Sequence, residues 1–444
     1  MDLTVDQLKP ADAAWPHRGY AWWVVVALMI AYAFSIVDRT ALGLLVQPIE
    51  ADLHISDTLM GLLQGTAFAL FYAVLGLPLG LLADRINRRR LITAGIAVWS
   101  AATMACGLAS GFAGLFAARL GVGAGEATLS PAGASLIADY FPAEERPKAY
   151  GVYAVGTSIG GGMAFLLGGA AIALAGHLRL MTPGVFGALA YWKIVFLLIG
   201  APGLLISLIF AFSVREPIRR GRGQIVGKPS FAPLFGQLSK ERLVYASLIL
   251  GAVFNATCIY AVVSWFPTLM IRGDGLAPAK VGQLLGTFGT PCGVISCLGS
   301  GWLAAWLEKR GRADASVLVA LGGTVWFTVM GVGAALVHGW VLRIVGYCLL
   351  SLAINCCTVS TFTALNRITP NELRGQIIAV FSLCTGLFSL TVGPFAVGFL
   401  SDHFFGPHGG IGKALAAVLA VSGILGVLLY GMGRPRYREL SAVA

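Results

Sequence analysis

The sequence predicts an all-α membrane protein: twelve transmembrane helices in two pseudo-symmetric six-helix bundles. Three observations predict it, namely an apolar composition, long apolar runs that recur along the whole chain, and a sequence repeat that divides those runs six and six. Of the 444 residues, 57% are hydrophobic and 11% are charged, against roughly 25% charged in soluble domains. A soluble fold lacks the polar surface to cover such a chain, whereas a bilayer asks for about 20 consecutive apolar residues from each crossing helix. Backbone groups in hydrocarbon must be paired within the segment, and these runs are too long for barrel strands, so the crossings are helices.

In chain order, a polar tail over 1–19 lacks a short apolar segment with a small-residue cleavage site, so no signal peptide is expected. Apolar windows and their breakers place six spans at 20–47, 57–83, 91–110, 112–140, 147–176 and 191–213. The segment from Arg215 to Arg242 holds seven basic and two acidic residues with Gly and Pro, the longest polar interruption in the chain. It reads as a linker, 214–242, between an N-terminal bundle, 20–213, and a C-terminal bundle, 243–433. The second set of spans lies at 277–306, 314–337, 340–366, 375–403 and 411–433 after a first at 243–271, and a tail over 434–444 follows. Eight cysteines (106, 258, 292, 297, 348, 356, 357, 384) all sit inside apolar segments without zinc or disulfide spacing, and are expected to be packing residues. The 58 glycines suit close helix contact.

The repeat supports the division. Gly80-Leu-Leu-Ala-Asp84-Arg85 returns as Gly301-Trp-Leu-Ala-Ala305-Trp306 after the second span of each half, and Pro142-Ala-Glu-Glu-Arg146 returns as Pro370-Asn-Glu-Leu-Arg374 after each fourth span. Charge sets the orientation. The N-terminal tail, the even-numbered connections and the C-terminal tail hold 23 of the 31 Lys and Arg residues; the opposite loops with adjoining helix ends hold six, and Arg39 and Arg119 lie inside spans. Cytoplasmic flanks carry the excess, so both termini are expected in the cytoplasm, with the protein multi-pass in the inner (plasma) membrane. The net charge of +11 is scattered over short loops rather than gathered in a stripe, which argues against nucleic acid. Trp22, Trp23, Trp192 and Trp340 near span ends suit the aromatic belt.

Gly80-Leu-Leu-Ala-Asp84-Arg85-Ile-Asn-Arg88-Arg89-Arg90 resembles the loop motif of the major facilitator superfamily, between spans two and three where that family carries it. The stretch from Leu115 to Glu126, with Arg119 followed by glycines 121, 123 and 125, resembles its fourth-span motif. Within the superfamily, Asp38-Arg39, Gly61-Leu-Leu-Gln64, Arg119-Leu-Gly-Val-Gly-Ala-Gly-Glu126-Ala and Ile137-Ala-Asp139 resemble the spinster-like lipid transporters. The second loop motif departs from the pattern, with Ala305 and Trp306 where Asp and Arg would stand. The resemblance implies lysophospholipid or sphingoid-phosphate substrates and, in some members, proton coupling; it also implies that spans one and four line a central cavity.

Ionisable residues inside spans are costly and so are functional candidates. Asp38 lies about 13 Å below the far end of span one and Arg119 about 10 Å deep in span four, at ~1.5 Å per residue. Arg119 and Glu126, seven residues apart, share a helical face. Burial favours a carboxylate's proton and a nearby Arg opposes it, so Arg movement or substrate binding can switch protonation. Glu126 is the first candidate for proton carrier and Asp38 the second, with Arg119 beside them; a permanent structural ion-pair network is the alternative. Arg39 either binds a substrate phosphate through its planar fork of donors or snorkels toward the interface. Ser351, Asn355 and Thr358 make one polar stripe in span ten, and with Asn255, Tyr260, Arg39, Arg119 and Glu126 they form the candidate substrate set, interhelical hydrogen bonding being the alternative for the neutral five. Asp84 and Arg85, with Arg88 to Arg90, can pair with carboxylates and helix ends of the opposite half as a gate, positive-inside orientation being the alternative, above all for Arg88 to Arg90, and Arg146 and Arg374 join that gating set.

No catalytic set stands out. Gly156-Thr-Ser158-Ile-Gly160 fits a nucleophile elbow but lies within span five, and the six histidines fall in loops or at span ends, so glycine packing explains it better. With no phosphate-binding loop for ATP, an ion gradient must drive uphill work. The sequence therefore predicts a secondary transporter, functional as a monomer, with no enzyme activity, cofactor or metal. Its expected partners are the bilayer, protons and an amphipathic lipid substrate; soluble organic anions or drugs are the alternative substrates.

Overall fold

The computed structural model describes residues 15–220, 232–406 and 410–443. The expected tail up to residue 14, the middle of the expected linker at 221–231, and positions 407–409 and 444 lie outside the described residues. Every expected span is helical, and no strand occurs among the described residues. Ten helices there are long and apolar enough to cross a membrane. Arg88–Cys106, which opens on three arginines, and the pair Phe112–Glu126 and Leu129–Tyr140, which holds Arg119 and Glu126, complete the twelve. Local chemistry starts two of the N-terminal helices: Ser56 Oγ accepts from Leu59 N at the head of span two, and Asn87 Oδ1 accepts from Arg90 N at the head of span three.

Five spans depart from the unbroken runs expected. Span one is Arg18–Leu44, followed by a short helix, Val46–Leu53. Span two divides at Gly65 into Asp57–Gln64 and Thr66–Ala83, span four divides after Glu126, and span ten divides between Ser351 and Cys356. Span eleven contains a π-helical turn, Thr385–Ser389, between Arg374–Cys384 and Leu390–Leu400. Hydropathy windows register the apolar run and not the backbone phase, so they pass over each break. Residues 434–443, read from the sequence as a tail, are helical and continue span twelve as Gly410–Val443. Two of its arginines are paired there: Arg434 donates to Asp314 (2.6 Å) and Arg436 to Glu241 (2.8 Å).

Helices in lipid gain nothing from hiding apolar surface from one another, so close backbone approach and hydrogen bonds hold them. A Cβ on Gly156 would stand 2.8 Å from Met29 O and one on Gly160 2.9 Å from Ala33, which is how span five lies against span one. The side chains of Thr157 and Ser158 between them lie outside the described residues. Between the halves, a Cβ on Gly169 would stand 2.8 Å from Ala279 O, one on Gly282 2.6 Å from Phe165 O, and one on Gly61 2.6 Å from Pro394 O. All eight cysteines are free.

The apolar cores reveal the state of the bundle. At the face away from the chain ends, here the far face, one continuous core crosses both halves, from Val37, Leu63 and Trp192 to Trp265, Phe266 and Val397. Toward the terminal face the core divides. One part belongs to the N-terminal half, around Leu28, Trp99 and Leu136 with Leu390 and Tyr260 at its edge; the other belongs to the C-terminal half, around Tyr245, Ile377 and Tyr437. The halves are thus closed together at the far face and parted toward the terminal face. The repeat is visible in the backbone too: Arg146 Nε donates to Phe141 O (3.0 Å) and Arg374 Nε to Thr369 O (3.1 Å), the same bond in each half.

Candidate functional site

Beneath the closed far face lies a cavity of about 540 Å³ lined by both halves. The N-terminal half contributes Tyr32, Arg39, Gln64 and Tyr72, and the C-terminal half contributes Tyr260, Ser351, Asn355 and Thr358. Among the described residues Arg39 is the one charged side chain in this lining. The C-terminal wall is otherwise apolar or hydroxylic, with Ile259, Val263, Leu285 and Phe381 beside Thr290 and Thr385.

Arg39 does not snorkel. Its Nε donates to Glu126 Oε2 (2.7 Å) and its Nη2 meets the same oxygen, while its guanidinium carbon sits 4.4 Å from the Phe68 ring centroid and 5.1 Å from that of Tyr72. Such stacking on aromatic faces holds the guanidinium plane in place. The Arg39 side chain is 20% exposed and that of Glu126 is 0% exposed, so the cavity meets the cation with the anion behind it. Glu126 ends the helix Phe112–Glu126, where the negative end of the helix dipole opposes a carboxylate and the Arg39 pair offsets that cost. Its Oε1 is buried without a partner.

Asp38 is buried, with one oxygen accepting from Thr103 Oγ1 (3.1 Å) and the other unpartnered. Arg119, expected beside these carboxylates, instead donates to two backbone carbonyls, Leu63 O (3.4 Å) and Asp38 O (3.3 Å), which ties spans one, two and four together. Its guanidinium carbon lies 5.8 Å from the Phe68 ring centroid. Neither Arg119, Glu126 nor Asn255 lines the cavity. Asn255 is buried within its own half and donates to Thr324 Oγ1 (3.3 Å), because span seven turns it toward span nine. In the span-ten stripe, Asn355 Nδ2 donates to Gly293 O (3.0 Å) at the break in the helix, while Ser351 and Thr358 line the cavity on either side of it.

Hydropathy reasoning passed over Gln64, Tyr32, Tyr72 and the π-helical turn. Gln64 is buried at the break in span two, and its Nε2 has no partner. A lone amide in an apolar run was the signal for it. The aromatic residues gave none, because a tyrosine in a span reads equally well as packing.

At the terminal face, the contacts of the loop motif differ from the gate expected. Arg88 pairs with Asp139 and with Glu216 (2.8 Å), Arg89 N donates to Glu216 (2.9 Å), and Arg219 Nη2 donates to Ala83 O (3.0 Å). Arg219 also donates to the carbonyls of Asp84 and Ile86. These bonds strap the start of the linker across its own half rather than reaching the other, because the halves stand apart at this face. Asp84 and Arg85 are exposed there.

The family profile of the Major Facilitator Superfamily matches residues 28–332. Among curated proteins, the chain is 27% identical to an MFS-type efflux pump of Mycolicibacterium smegmatis, covering 97% of this chain and 96% of that one. It is 26% identical to a D-galactonate transporter of Escherichia coli, covering 97% of each. Among solved structures, it matches a bacterial homologue of the human lysosomal transporter Spinster, in an inward-facing and unoccupied conformation, with a TM-score of 0.78 at 26% identity over 96% of this chain and 98% of that one.

Proposed function

The chain belongs to the major facilitator superfamily and is a spinster-like member, and from that premise we propose that it is a proton-coupled secondary transporter of amphipathic lipids with an anionic, phosphate-bearing head, of lysophospholipid or sphingoid-phosphate type, working by alternating access. The supporting observation is the Arg39–Glu126 pair, whose cation faces the cavity while its anion is sealed behind it. An anionic head that takes over the Arg39 fork displaces Glu126, and a buried carboxylate without a counter-ion takes up a proton. Substrate and proton then load together, and neither leaves a bare charge in the low-dielectric interior. The apolar C-terminal wall suits an acyl chain, and the hydroxyls of Ser351 and Thr358 suit a head-group oxygen. Asp38, with its one neutral donor, is the second proton site, and Arg119 holds the backbone of Asp38 and Leu63 in place.

The terminal face is the cytoplasmic one in this proposal, on the strength of the 23-to-six basic asymmetry, and the protein acts as a monomer in the plasma membrane. Asp84, Arg85, Arg146 and Arg374 belong to the gate at that face. A second reading, a carrier of soluble organic anions or drugs, draws support from the efflux pump and the galactonate transporter among the relatives. Competition on purified protein separates the two. Displacement of a bound lysophospholipid by lysolipids but not by sugar acids supports the lipid reading, and displacement by sugar acids alone replaces it with the second.

A further inference from the structure

At the far face the halves are joined by a compact set of polar bonds. Arg272, at the end of span seven, reaches across to the N-terminal half, where Nη1 donates to Asp57 Oδ1 (2.8 Å) and Nη2 meets Glu50 Oε2. Ser401 Oγ donates to the other Asp57 oxygen (2.7 Å), and Asp402 accepts from both the N–H (2.7 Å) and the hydroxyl of Thr58. A carboxylate of the C-terminal half thus caps the first turn of a helix in the N-terminal half. Two carboxylates, Glu50 and Asp57, share one guanidinium.

That imbalance falls on Glu50. Its Oε1 is buried without a partner, and the Glu50 and Asp57 carboxyls lie within hydrogen-bonding reach of each other. Two ionised carboxylates repel across that contact, whereas a proton on the Glu50 carboxyl makes it a donor to Asp57. Other charges around the site are engaged elsewhere: Asp52 takes the Trp192 indole N–H (3.0 Å) and lies 3.9 Å from Lys193, and Asp274 pairs with Arg343 (2.8 Å). His54 and His403 are exposed at its margin.

We propose that the Glu50 carboxyl is a proton-binding site of the transport cycle, filled from the far aqueous face as the two halves close over it. The proton comes from that water phase, rides on the Glu50 carboxyl as a donor to Asp57, and leaves when the face opens and Arg272 withdraws. In the closed state burial, with Asp57 beside it, pushes the Glu50 carboxyl up to about 8 against the pull of Arg272. In the open state it returns to water and to the ordinary carboxylate range. Closed therefore binds the proton more tightly than open. The contribution to closing is complete below the ordinary carboxylate value and is lost as pH rises through about 8.

The inference rests on alternating access and not on the identity of the substrate. Nitroxide labels attached through introduced ketone side chains at Ala51 and Ala277, both exposed, report the far-face distance in the full chain without touching the native cysteines. For the wild type, the ratio of short to long distances falls about tenfold or more between about pH 6 and about pH 9. Glu50→Gln keeps the short distance across that range, Asp57→Asn moves the midpoint to lower pH, and Glu126→Gln leaves it in place. An unaltered midpoint in Glu50→Gln, or its disappearance in Glu126→Gln, overturns the assignment. A single distance in every variant, with or without lysophospholipid, overturns alternating access itself and the proposal with it.

Discussion

Arg39 and Glu126 depend on each other, since a cation beside a cavity and a carboxylate sealed behind it are each costly alone. Arg39→Lys keeps the charge but loses the planar fork and the stacking on Phe68 and Tyr72, so it separates geometry from charge. The variant should fold and reach the membrane yet lose gradient-driven uptake into proteoliposomes by tenfold or more, about 1.4 kcal/mol or more; uptake at the wild-type rate would mean that a point charge suffices. Thr103→Val tests Asp38. Removing its donor leaves a buried carboxyl unpartnered and should cost about 1–3 kcal/mol of stability, read as an earlier unfolding transition in detergent, and an unmoved transition would show that Asp38 does not need Thr103. The sequence made this cluster legible because charge inside an apolar run is conspicuous. It left the pairing undetermined: depth along a helix brings Asp38 level with Arg119, but which side chain meets Glu126 depends on helix rotation, and rotation put Arg39 there.

The seam between span two and span eleven depends on glycine. A Cβ on Gly65 would collide with the Leu390 carbonyl, and span two breaks at this residue to make the approach. Gly65→Ala should therefore disfavour the closed far face by about 1–3 kcal/mol, the usual cost of overpacking. The same pair of spin labels should then show the longer distance gaining at every pH, and an unchanged distribution would place the seam elsewhere. Spans were legible from hydropathy because each needs a run of apolar residues. Their breaks at Gly65, after Glu126, and at the π-helical turn Thr385–Ser389 were not, since each is imposed by a partner helix distant in sequence. The turn lines the cavity through Thr385 and Gly386, and π-helical turns recur at functional sites.

For the whole molecule, the repeat anticipated two halves and the basic asymmetry predicts an orientation, and the divided core adds the conformational state that no composition could disclose. Orientation is open to direct test. Membrane-impermeant labelling of cysteines introduced at Glu144 and at Lys280 should modify the second from outside intact cells and the first only after lysis, and the reverse pattern would invert the assignment. Substrate and proton binding are coupled through the Arg39–Glu126 pair in this proposal. The most direct measurement is proton uptake by purified protein in weakly buffered detergent when an anionic lysophospholipid is added. Because the head group takes Glu126's counter-ion, binding should draw in about one proton per substrate in the wild type and none in Glu126→Gln. Binding with no proton uptake in the wild type, or with the same uptake in Glu126→Gln, would contradict the account.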